Sequence, residues 1–132
     1  MKELNIGIVG AGIGGLSAAL ALLKQGFRVR VFEQAPQLAE VGAGLSLSPT
    51  AVHGLNWLGL HDVLEAKAYK PEDQCVRHYK DARPLVWINR GKDLLDKYGE
   101  RYYLIHRADL HDGLAARVRS LDPDCIALDL RC

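Results

Sequence analysis

The sequence predicts an α/β fold, a βαβ core with a parallel sheet plus a small antiparallel hairpin, on three observations. Leu4-Asn5-Ile6-Gly7-Ile8-Val9 is an apolar, β-compatible run that reads as a buried strand. Glycines at 10, 12, 14 and 15 separate it from Leu16–Lys24, which reads as a helix ending at Gly26. Phe27-Arg28-Val29-Arg30-Val31-Phe32 is a second β-rich run, and it ends in an acidic residue, Glu33.

The glycines form a strand-to-helix hinge with G-x-G-x-x-G spacing, and each has a physical job. Gly10 makes a tight turn, Gly12 lets backbone approach a phosphate, and Gly15 permits close strand–helix packing. Free N–H groups at the helix start, and the positive end of its dipole, then face a pyrophosphate. An acid at the tip of the second strand is placed to accept hydrogen bonds from an adenosine ribose. Strand, glycine turn, helix, strand and acid in this order make a Rossmann-like unit that binds a dinucleotide. Glu33 suits an unphosphorylated ribose, so NADP is the least favoured ligand.

At 132 residues the chain holds one domain and a modest core. Seventeen basic against sixteen acidic side chains leave no surface for nucleic acid and no polybasic membrane contact. Cys75, Cys125 and Cys132 are widely spaced, without the pairing of a zinc site or a disulfide framework, and point to a reducing cytoplasm. The five histidines show no ligand spacing, so no metal is expected. Leu4–Leu23 is long and uncharged enough to suggest a membrane span. Against that stand Asn5, the dense glycines, and Glu3 beside Lys2.

Past Glu33, Gln34-Ala35-Pro36 ends the strand, because proline cannot continue a ladder. Gln37–Leu47 reads as a loop centred on Gly42-Ala43-Gly44. Ser48-Pro49 opens a helix through Leu58 that Gly59 stops, and Leu60, Val63 and Leu64 mark a second short one. Gln74–Lys80 and Leu85–Asn89 flank a turn and predict the hairpin. Lys92–Tyr98 is a short helix closed by Gly99, and Tyr102–His106 a short strand. From Arg107 a helix runs with the apolar stripe Leu110, Leu114, Ala115, Val118 and Leu121 until Asp122-Pro123. Cys125–Leu130 reads as a last strand. Trp57 and Trp87 are expected to pack inside.

Four segments together resemble a known family: GIVGAGIGGLSAALAL at 7–22, VRVFEQAP at 29–36, VGAGLSLSPTAVHGLNWLGL at 41–60 and YYLIHRADLHDGL at 102–114. In order and spacing they are similar to the N-terminal part of the FAD-dependent aromatic hydroxylases, the class A flavoprotein monooxygenases of salicylate-hydroxylase type. The resemblance implies that the glycine turn holds the FAD pyrophosphate and that Glu33 binds the adenosine ribose. It implies that Arg107 reaches the phosphate and ribityl region, and that the Gly42–Ser46 loop passes near the flavin. The cofactor-binding residues expected on this basis are Gly10, Gly12, Gly15, Glu33, Gln34, Gly44, Ser46 and Arg107. Some members carry a histidine base at the position of Ser46, and many have asparagine where Thr50 stands; the chain departs from both. In the family, reduced flavin and oxygen hydroxylate a small aromatic acid or phenol, with NAD(P)H as electron donor.

The downstream D-G and G-D segments of the family and its substrate-binding sheet are not found. Residues 1–132 are thus expected to be the N-terminal part of an FAD-binding domain, inactive by itself, with a sheet edge through which copies can pair. The alternative is a free-standing NAD- or ADP-binding module without catalysis.

Overall fold

Strand β1 (Asn5–Val9) leads through the glycines into helix α1 (Ile13–Lys24), and β2 (Arg28–Phe32) returns parallel to β1. This geometry comes from a computed structural model that describes residues 4–39 and 42–131. Lys2 and Glu3, Glu40 and Val41 of the expected loop, and Cys132 lie outside the described residues. The alanine- and leucine-rich α1 starts within the glycines, three residues before the expected Leu16. It ends where Gly26 takes a left-handed φ of 82°.

The chain continues through β3 (Gly44–Leu47), α2 (Pro49–Leu58), α3 (His61–Lys67), β4 (Asp73–Arg77), β5 (Pro84–Asn89) and α4 (Lys92–Tyr98). It closes with β6 (Tyr103–His106), α5 (Arg107–Leu121) and β7 (Ile126–Ala127). The parallel sheet has the order β1-β2-β7, β4 and β5 form the expected separate hairpin, and β3 pairs with β6 antiparallel. Ser48 caps α2, accepting from the Ala51 N–H at 3.4 Å, and Gly59 stops it at φ 90°.

Leu16, Ala19 and Leu20 of α1 share one core with Val29 and Val31 of β2 and Leu110, Leu114 and Val118 of α5. Each fully buried leucine contributes roughly 1.5–3 kcal/mol relative to exposure. This core seats α5 against α1 and brings His111, one turn into α5, to the glycine hinge.

Four expectations are corrected. Gly44–Leu47 is a strand, not loop, because its backbone finds a ladder partner in β6 far along the chain. Only Ile126–Ala127 of the expected last strand pairs; Asp129 then takes a positive φ and turns the chain back. Among the described residues β1 lies at the edge of the sheet rather than inside it, with Val9 73% exposed. Trp57 and Trp87 are 51% and 61% exposed; the Lys24 ammonium lies over the Trp57 ring. The span Leu4–Leu23 divides into strand, turn and helix. Among the described residues no helix is long and apolar enough to cross a membrane.

Candidate functional site at the glycine turn

The parallel register sets Val9 opposite Phe32, so the ends of β1 and β2 lie side by side. The Gly10 N–H donates to the Phe32 carbonyl at 2.7 Å. Gly10 has φ 94°, where a side chain is strained. A Cβ at Gly15 would stand 2.0 Å from the Gly10 carbonyl oxygen, so only glycine lets α1 start this close to the strand. Gly12 differs: its φ is −72°, and an added Cβ would meet nothing within 4 Å. The turn is open on that side.

Ile13, Gly14 and Gly15 begin α1, so their N–H groups have no partner within the helix. The first helical bond runs from the Leu16 N–H to the Gly12 carbonyl, at 2.9 Å. The first turn holds no acidic residue and no side chain caps it, which leaves the positive end of the dipole for an anion.

Glu33 reaches back across this turn. One carboxylate oxygen accepts from the Ala11 N–H at 2.7 Å and the other from the Ala35 N–H at 2.9 Å. These two bonds, Ala11's the stronger, hold the carboxyl below its ordinary range despite partial burial. The group is ionised at neutral pH, and each oxygen keeps a further acceptor site for a hydroxyl. Beside it a cavity of about 200 Å³ is lined by Val9, Gly10, Phe32, Glu33, Gln34 and Leu130. Leu130 lies outside the expected cofactor-binding residues; its N–H donates to the Glu33 carbonyl at 2.9 Å.

Gly10, Gly12, Gly15, Glu33 and Gln34 thus form one cluster. Gly44, Ser46 and Arg107 form another around the β3–β6 ladder, where Gly44 lies opposite His106 and Ser46 opposite Leu104. The Arg107 N–H donates to the Ala43 carbonyl at 3.2 Å. A Cβ at Gly42 would stand 2.7 Å from the Arg107 Cβ, so this glycine permits close approach to α5. A cavity of about 240 Å³ opens beside Gly44, Tyr69 and His106.

The two clusters are joined by a residue outside the expected set. His111, one turn beyond Arg107 on α5, is buried, and its Nε2 lies 2.7 Å from the Ala11 carbonyl oxygen. Its signal was its spacing, four residues before Ala115 and seven before Val118, on the buried face of α5. Metal-ligand spacing does not single it out. Among the described residues no three His, Cys, Asp or Glu side chains group as a metal site. A roomier cavity of about 480 Å³ lies on the sheet near Gly7, Arg30 and Phe32. It has no helix N-terminus to receive a phosphate.

A parallel βαβ unit, a glycine turn opening onto a helix start, and a strand-end carboxylate together define the class: a Rossmann-like dinucleotide-binding fold. Residues 8–42 match the NAD(P)-binding Rossmann-like domain family. Over 83% of its length the chain is 44% identical to 3-amino-4-hydroxybenzoate 2-monooxygenase of Streptomyces cremeus, covering 28% of that protein. Over the same share it is 38% identical to 3-hydroxybenzoate 6-hydroxylase of Polaromonas naphthalenivorans (strain CJ2), covering 27%. The structure of tetrameric 2-methyl-3-hydroxypyridine-5-carboxylic acid oxygenase superposes with a TM-score of 0.83 at 26% identity, over 98% of this chain and 32% of that one. That of Klebsiella pneumoniae HpxO complexed with FAD and uric acid does so at 0.82 and 25%, over 97% and 31%. In sequence and fold, the chain resembles the N-terminal part of the FAD-dependent aromatic hydroxylases. It spans less than a third of the length of these relatives.

Proposed function

We propose that the chain is the FAD-binding portion of an NAD(P)H-dependent flavin monooxygenase that hydroxylates a small aromatic acid or phenol. The observation that carries this reading is the paired geometry of the open glycine turn and the anchored Glu33 carboxylate. It is supported by relatives named as monooxygenases of hydroxybenzoates and hydroxynicotinate.

The residues present fit the adenosine end of FAD: the turn offers backbone donors to a pyrophosphate, and Glu33 has acceptor sites left for ribose hydroxyls. Gly10, Gly12, Gly15, Glu33 and Gln34 hold that end, and Gly44, Ser46 and Arg107 face the flavin end. When bound, FAD supplies the redox chemistry of oxygen activation. Residues 1–132 form the first part of the FAD domain, and the substrate pocket belongs to the remainder. The protein works in the cytoplasm, and copies of this chain pair through an exposed sheet edge.

Titration with FAD, followed by gel filtration, is expected to yield a protein that retains flavin absorbance. It is expected not to oxidise NADH in response to an aromatic acid. A colourless protein with affinity for NAD instead establishes the second reading, a nucleotide-binding module without catalysis, which the match over residues 8–42 favours. Light scattering at the mass of a single chain would overturn the pairing.

A further inference from the structure

We propose that His111 is a positioning residue that aims the Gly12 N–H at the pyrophosphate of the bound nucleotide. The inference rests on the reading of the glycine turn as a pyrophosphate site.

Ala11 is buried and held from two sides. Its N–H donates to Glu33 at 2.7 Å, and its carbonyl lies 2.7 Å from His111 Nε2. A carbonyl only accepts, so Nε2 carries the N–H in this pair. His111 is 2% exposed, and its Nδ1 is buried without a hydrogen-bond partner in the structure. The bond to Ala11 is therefore the polar interaction that orients the ring. In a trans peptide the carbonyl and the following N–H point in opposite directions across a rigid plane. Fixing the Ala11 carbonyl on His111 thus fixes the Gly12 N–H on the far side of the 11–12 peptide, at the glycine with open space around it. The Glu33 carboxylate does the same for the preceding peptide. With the Ala11 N–H committed to Glu33, the Gly12 N–H and the start of α1 are left to receive the phosphates.

The ring is carried by α5, whose stripe Leu110, Leu114 and Val118 is locked into the shared core. The turn therefore has a rigid support drawn from a distant part of the chain.

The test compares the parent chain with His111→Gln, which retains an N–H donor at the same reach, and His111→Leu, which does not. Calorimetric titrations use ADP and adenosine. The expected result is that H111L weakens ADP about tenfold or more, changes adenosine by less than about threefold, and that H111Q stays near the parent, a tenfold loss being about 1.4 kcal/mol. Equal weakening of both ligands, or of neither, would overturn the inference while leaving the pyrophosphate reading in place. A parent chain that binds neither ligand overturns both. Should H111L fail to fold, imidazole nitrogen resonances of the parent decide: a proton on Nε2 supports the assignment, and one on Nδ1 removes it.

Discussion

At the scale of single residues, Glu33 and the glycines make separable contributions. The Glu33 carboxyl is lowered by its bonds from Ala11 and then Ala35. Its stabilisation is therefore complete above the ordinary value of 4.5 and is lost as pH falls through the lower folded value. Glu33→Gln is expected to flatten this acid limb in a plot of thermal midpoint against pH, and to weaken ADP on the order of tenfold, about 1.4 kcal/mol. An unchanged acid limb would remove Glu33 from this role. The glycines divide differently. Gly15→Ala places a Cβ 2.0 Å from backbone and is expected to cost roughly 3 kcal/mol or more in urea unfolding. Gly12→Ala meets no atom and loses only a favourable helix cap, about 1 kcal/mol, while still impairing ADP binding.

At the scale of elements, α5 carries the most weight, since it presents Arg107 at its start and His111 one turn later. Its Gly113 looks like a defect, because glycine inside a helix costs about 1 kcal/mol relative to alanine. Yet a Cβ there would stand 2.8 Å from Val63 Cγ1 on α3. Gly113→Ala is therefore expected to destabilise by about 1–3 kcal/mol despite better propensity, and Val63→Ala in the same chain to recover part of the loss. Urea midpoints of the two single variants and the double variant check this. Elements governed by local chemistry were legible: the Ser48-Pro49 start and Gly59 stop of α2, the Gly99 stop of α4, and the hairpin. β3 was not, since Gly44–Leu47 is only four residues long and its Leu45–Leu47 alternation is short and follows directly on Gly42 and Ala43. It becomes a strand only because β6, some sixty residues on, offers it a ladder.

At the scale of the whole molecule, the chain's two ends meet at β2. Val31 and Glu33 donate their N–H groups to Cys125 and Ala127, which ties the last described segment to the nucleotide unit. Cys125 is buried there, and burial pushes its thiol up from the ordinary value. Its alkylation is thus expected to follow global unfolding, whereas the partly exposed Cys75 reacts in the native state. Mass mapping of iodoacetamide adducts at increasing urea reads both; rapid native labelling of Cys125 would show that β7 opens independently. The same scale explains the exposed tryptophans. Alternation placed Trp87 on an inward face of the hairpin, but Leu85, Val86 and Trp87 in succession are all exposed, so neither face of β5 is buried there.

What the sequence determined by itself was whatever depends on neighbours along the chain. The βαβ unit, the roles of Gly10 and Gly15 in its turn, and the helix caps follow from φ restrictions, propensity and short-range hydrogen bonds. The position of Glu33 was equally readable, because a strand end has a fixed distance from the turn before it. Tertiary structure alone decided that β1 lies at the sheet edge among the described residues, that Gly44–Leu47 pairs with β6, and that His111 reaches Ala11, a hundred residues away in sequence. Such contacts exist only once the core has seated α5 against α1, and a buried histidine differs from an idle one solely by the atom it is packed against.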